Sequence, residues 1–155
     1  MHRNCEIVDD ALAAAGLAGR VRILDEPAPT AAAAAALLGV PVGAIANSLV
    51  FTTAERTALL VLTSGAHRVD TAKVAAAVGT ARLSRATPEF VLQETGQPIG
   101  GVAPTGHPAP IRTLVDTALE PFEQVWAAGG IPHAVFPTSF AELVRLTGGT
   151  PADVA

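Results

Sequence analysis

Leu59-Leu60-Val61-Leu62 leaves this chain the least freedom. It sits in an almost wholly apolar run from Thr57 to Thr63, and a strand of that kind belongs in the middle of a sheet rather than at its rim. The preceding stretch, Ile45 to Thr53, also reads as a strand. Ala54-Glu55-Arg56 joins the two as a hairpin loop. In the first strand side chains alternate faces, so Ile45, Asn47, Leu49 and Phe51 share one face. Three of those four are large and apolar, which predicts that this face looks into the core, with Ser48 on the opposite face.

The rest of the chain supplies helices and shorter strands. Asn4 to Ala15 reads as a helix closed by Gly16, with Val8, Leu12 and Ala15 as its stripe. Val21 to Asp25 reads as a strand, and Pro27-Ala28-Pro29 as a rigid connector. Thr30 caps a helix of alanines and leucines that ends at Gly39. Asp70 caps a helix through Val78, and Thr87-Pro88 opens another that Gly96 ends. Strands are predicted at Ile111–Val115, Val125–Ala128 and His133–Phe136. Ser139 and Glu142 form a capping-box pattern for a last helix ending at Gly148. Helices and strands mix without strict alternation, so an α+β or α/β domain with a mixed sheet is expected, one domain over 1–155.

Composition narrows the function classes. Half of the 155 residues are apolar and only 15% are charged, which is a globular composition. A net charge of −4 gives no field for long nucleic acid, so DNA is not an expected partner, while a short RNA end needs only a local patch. No apolar run approaches a membrane span, and Glu6, Asp9 and Asp10 do not suit a signal peptide. A cytoplasmic protein without membrane contact is expected. Cys5 stands alone and reads as a helix residue rather than a nucleophile. His2, His67, His107 and His133 lack metal-ligand spacing, so neither a metal nor a cofactor is expected. The G-x-S-x-G elbow and the P-loop are absent.

Two features point to a site. Gly100-Gly101-Val102-Ala103-Pro104-Thr105-Gly106 is a short loop in which glycine permits close backbone approach and proline holds one shape. It is either a tight turn or a rigid cradle whose amides bind an anion or an oxyanion. His107 follows it directly. Asn47 is a polar amide on a core-facing side. It either bonds neighbouring backbone or lines a cleft and holds a ligand.

The segments Thr30–Val40, Ile45–Phe51, Gly100–Pro104 and Ser139–Leu143 fall in the order seen in a known family. The chain resembles the YbaK/prolyl-tRNA synthetase-associated editing domain family from about Ile7 to Gly149. That resemblance implies a mixed, curved sheet with flanking helices. It also implies an aminoacyl-tRNA deacylase that removes a wrong amino acid from tRNA in trans, most simply a small amino acid on proline tRNA. Its implied partners are the tRNA acceptor end and an aminoacyl-tRNA synthetase. By position, Gly100, Gly101 and Pro104 shape the loop beside the ester, and Gly101, Val102 and Ala103 supply amides. His133 resembles a histidine near the pocket. Ser48, His107 and Arg68 complete the expected substrate-binding set. The family's strand motif usually carries a lysine where this chain has Asn47, so Asn47 either takes over that role or marks a binding module that has lost deacylation. The remaining cationic residues of the middle of the chain, Arg56, Lys73, Arg82 and Arg85, are candidates for the charge that the lysine would bring or else read as solvated surface.

Overall fold

A computed structural model describes residues 1–155. Its centre is the expected hairpin. Strand β2 (Ile45–Thr53) pairs antiparallel with β3 (Ala58–Ser64) in an unbroken register from Ala46↔Ser64 to Thr52↔Ala58. Leu59, Leu60, Val61 and Leu62 are fully buried. Each such side chain contributes roughly 1.5–3 kcal/mol by leaving water, which is why this strand holds an interior position. Arg56 turns the hairpin with φ 64°.

The other strands are β1 (Arg22–Ile23), β4 (Leu83–Arg85), β5 (Arg112–Asp116), β6 (Val125–Ala128), β7 (Ala134–Thr138) and β8 (Thr150–Ala152). They build one eight-stranded mixed sheet in the order β1-β7-β6-β2-β3-β5-β8, with β4 added beside β2. The helices are α1 (Arg3–Ala14), α2 (Ala31–Leu38), α3 (Thr71–Val78), α4 (Pro88–Thr95) and α5 (Phe140–Thr147). The expected α+β mixed sheet with flanking helices is the architecture found.

Helix ends follow local chemistry. Thr30, Asp70 and Thr87 each accept the amide three residues on, and Gly39, Gly79 and Gly96 close the same helices in left-handed conformation. The capping box of α5 is half formed. Ser139 Oγ accepts from the Glu142 amide at 3.2 Å, while the Glu142 carboxylate accepts from the Thr138 hydroxyl at 3.3 Å instead of reaching back.

Both faces of the hairpin are covered, which corrects the expectation of a single core-facing side. Ala46 and Val50 of β2 join Leu60 and Leu62 in the largest core, packed by Val8 and Leu12 of α1, Val91 of α4 and Leu143 of α5. Phe51, Leu59 and Val61 face Val74 and Ala75 of α3. Ile45 and Trp126 face Ala34 and Ala35 of α2, where the alanine run lets the helix lie close on the sheet. The strand expected over Val21–Asp25 shrinks to Arg22–Ile23, which pair with β7; the Val21 amide goes instead to the Asp9 carboxylate, and the Leu24 amide adds a single bond to the His133 carbonyl. The short strands β4 and β8 carry too few residues to show a period, and the sequence reading missed them.

Candidate functional site

The pairing of β2 contains a fork. On one edge β2 meets β3 throughout. On the other edge it meets β6 only at Ile45 and Ala46, and β4 only at Phe51 to Thr53. The Ala86 amide adds a bond to the Val50 carbonyl at 3.1 Å. Asn47, Ser48 and Leu49 lie between these two partners, with neither strand paired to them. A cavity of about 460 Å³ opens at this fork, within the usual range for small-ligand sites. Its lining includes Asn47, Ser48 and Leu49 from β2, Trp126 and Ala127 from β6, alanines of α2, Arg85 at the end of β4, and Gly100 and Val102 from the glycine loop.

The glycine loop is held from behind. Gln97, only 2% exposed, accepts the Ala103 amide at 2.7 Å and donates to the Thr105 carbonyl at 3.1 Å. His107 Nε2 lies 2.8 Å from the Ala103 carbonyl, which that nitrogen can satisfy as a donor. Burial holds the His107 pKa below its ordinary value, which favours the neutral ring. The Gly101 amide donates to the Pro98 carbonyl at 3.0 Å. Gly101 is buried with its α-carbon against the backbone of Ile131 and Pro132, where a Cβ would come within 2.6 Å of the Ile131 Cα. Glycine is needed here for close approach to the β6–β7 connection.

These bonds separate the loop amides. Gly101 and Ala103 spend theirs inside the protein, and Val102 and Gly100 have no protein acceptor. Gly100, at φ 87°, and Val102 line the cavity; Gly101, Ala103 and Pro104 do not. Of the expected amide set of Gly101, Val102 and Ala103, only Val102 is left without a protein acceptor, and Gly100, outside that set, is the loop's other free amide. Pro104 is buried and shapes the loop from beneath.

On β2 the Asn47 amide faces the cavity and makes no hydrogen bond to the protein, so it does not hold the loop. Ser48 Oγ is the one buried side-chain polar atom without a partner. An unpaired hydroxyl of this kind costs ~1–3 kcal/mol; the atom is closed off from the cavity, although Ser48 and Val102 both contribute to its lining.

The other expected residues fall outside the cavity. Pro132 and Ala134 line it, but His133 between them does not. His107 sits behind the loop, and Arg68 is exposed on the turn after β3. Cys5 is fully buried against Ile131 and Ala134, and burial raises its thiol pKa, as suits an inert core cysteine. Gln97 was missed; its one sequence signal is its place just before the loop. A second polar cluster lies apart. Buried Asp116 accepts from the Ser64 and Ala118 amides and lies 3.0 Å from His67 Nδ1, tying the end of β3 to the turn after β5. No three metal-ligating side chains converge anywhere, and no helix is long and apolar enough to cross a membrane.

Comparison with known proteins follows from this geometry. The model of the aminoacyl-tRNA editing domain matches residues 25–146. A solved structure described as a candidate trans-editing enzyme for prolyl tRNA synthetase is 40% identical, covers 99% of this chain and 98% of its own, and superposes with a TM-score of 0.92. A protein solved as a scaffold for computational epitope grafting is 37% identical at the same coverage, with a TM-score of 0.92. YwhH of Bacillus subtilis strain 168, itself uncharacterized, is 31% identical over 110 residues, which is 71% of this chain and 69% of YwhH.

Proposed function

The chain belongs to the aminoacyl-tRNA editing domain family, and from that premise we propose that it is a free-standing deacylase that hydrolyses the ester of a mischarged tRNA in trans. The carrying observation is the pair of polar groups left without protein partners in the lining of a mostly apolar cavity, the Val102 amide and the Asn47 side chain. Unpaired polar groups in such a lining call for a polar ligand atom.

The chemistry asks little of side chains. An aminoacyl ester is already activated, so placement and oxyanion stabilisation carry most of the barrier reduction. The Gly100 and Val102 amides are the donors for the developing oxyanion, on a loop that Gln97 and His107 hold rigid. Asn47 positions the sugar or the attacking water. Arg85 is the cavity's one ionisable side chain, and a guanidinium offers donors but no acceptor, so the lining supplies no general base. The water is then activated by a hydroxyl of the terminal ribose. The rate should lack the bell shape of an acid–base pair and rise with pH through the substrate's own groups.

The small, mainly apolar lining suits a small amino acid, and we take proline tRNA carrying a non-cognate residue as the substrate. The reading places the protein in the cytoplasm, acting on the acceptor end beside a synthetase. Asn47 supports one second reading, a binding module of the same fold that no longer deacylates, because an amide brings no charge. Purified protein against a panel of mischarged tRNAs decides between them. Release of one amino acid above the uncatalysed rate supports the deacylase, and binding of an aminoacyl end without release supports the module.

A further inference from the structure

Arg85 is the single charged residue in the cavity lining, and its charge is uncommitted. Arg3 pairs with Glu6, Lys73 with Asp153, and Arg20 and Arg112 with backbone carbonyls; Arg22, Arg56, Arg68, Arg82 and Arg145 are unpaired like Arg85 but do not line the cavity. Arg85 forms neither a salt bridge nor a hydrogen bond. Its guanidinium lies over the Phe51 ring, 5.8 Å from the centroid, and Phe51 is itself only 1% exposed. Stacking on a fixed ring limits the side chain's freedom and leaves all five N–H donors available. The backbone beneath is also fixed, by Phe51↔Arg85 pairing and by the Ala86 amide on Val50.

We propose that Arg85 is an anion subsite at the rim of the cavity, and that it takes the phosphate attached to the terminal adenosine of the aminoacylated RNA end. The inference rests on the functional reading above and deepens it. The ester and its oxyanion are served by neutral amides, so the lone cation is not needed there. The substrate's negative charge near the reacting bond is its phosphodiester, and a planar guanidinium matches phosphate oxygens in pairs. The charge also sets direction. Arg85 repels the amino acid's ammonium group, so the phosphate lies toward β4 and the aminoacyl group toward the glycine loop. In a chain of net charge −4, one such contact can decide whether an RNA end is held.

The test uses a non-hydrolysable amide analogue of 3′-aminoacyl-adenosine, with and without a 5′-phosphate, and adenosine monophosphate alone. Affinities are measured by calorimetry for the wild type, Arg85→Gln and Arg85→Lys, with a thermal melt to show that each exposed-site variant folds. The phosphate should tighten wild-type binding by roughly 10- to 100-fold, the value of one or two charge-assisted bonds. The gain should vanish in Arg85→Gln and survive in part in Arg85→Lys. In turnover, Arg85→Gln should raise KM with kcat nearly unchanged. The slope of log affinity against log salt for tRNA, itself expected on the order of −1 to −3, should become shallower by about 0.7–0.9. A phosphate gain that persists in Arg85→Gln, or that is absent from the wild type, overturns the subsite. Adenosine monophosphate binding as tightly as the phosphorylated analogue overturns the RNA-end assignment in favour of a free nucleotide. These failures are separate from that of the functional reading, which falls if the wild type neither deacylates any tRNA nor binds any analogue.

Discussion

Gly101→Ala asks whether the glycine loop works through its distance from the β6–β7 connection. A methyl group at this position would stand 2.6 Å from Ile131 Cα and 2.7 Å from Pro132 N, where ordinary contact begins at 3.4 Å. The obstacle is backbone on both sides, with the Ile131 carbonyl carbon closer still, so no rotamer relieves it, and the loop must retreat by about 1 Å. Overpacking of this kind costs roughly 1–3 kcal/mol, which a domain of ordinary stability of ~5–15 kcal/mol survives. The functional cost is larger. A shift approaching 1 Å in positioned groups lowers a rate by ~10²-fold, and loss of one oxyanion donor costs about 10²–10³ in kcat. Single-turnover deacylation of the best tRNA from the panel should therefore slow by roughly 10²-fold, while thermal unfolding stays cooperative. Gly100→Ala is the control. Its nearest neighbour would be Pro29 Cβ at 3.6 Å, an ordinary contact, so only the strain of φ 87° remains, ~1–2 kcal/mol. A folded Gly101→Ala protein that deacylates at the wild-type rate would refute the reasoning and remove this loop from the mechanism.

Gln97→Leu strips the loop of two hydrogen bonds and leaves the buried Ala103 amide unpaired; stability should fall by ~2–4 kcal/mol in denaturant titration, and an unchanged midpoint would mean that the clamp carries nothing. Asn47→Lys puts a charge into the cavity wall, and filter binding should show an aminoacylated end held about tenfold tighter or more; loss of the folded state instead would mean that no phosphate comes near β2. His107 is held below its ordinary pKa of 6.5 by burial. The unfolded chain therefore takes up the proton first as pH falls, so this stability is fully present above pH 6.5 and is lost as pH falls from 6.5 toward the folded-state value. His107→Gln keeps a donor for the Ala103 carbonyl but cannot titrate, so urea midpoints measured across that window should lose part of their acid slope.

Local chemistry made much of this fold readable from residues alone. Thr30, Asp70 and Thr87 cap helices with their own side chains, and the glycines that close those helices need no distant partner. The apolar run Leu59–Leu62 carries its burial in its composition, so the central hairpin was legible too, along with the family that its motifs resemble. Other features depend on contacts between residues far apart in the chain. Strand β4 exists because Phe51 to Thr53 offers it an edge, and β8 because Leu114 to Asp116 does. The fork that opens the cavity arises because β6 and β4 share one edge of β2 without meeting along it. Which loop amides stay free was decided by Gln97 and the Pro98 carbonyl taking the other two. Arg85 read as solvated surface because a sequence shows a charge without the ring beneath it or the counter-ion it lacks. A residue's type and its near neighbours set its propensity, its cap and its period. Whether its polar groups remain unspent is settled only after every other group in the fold has taken its partners.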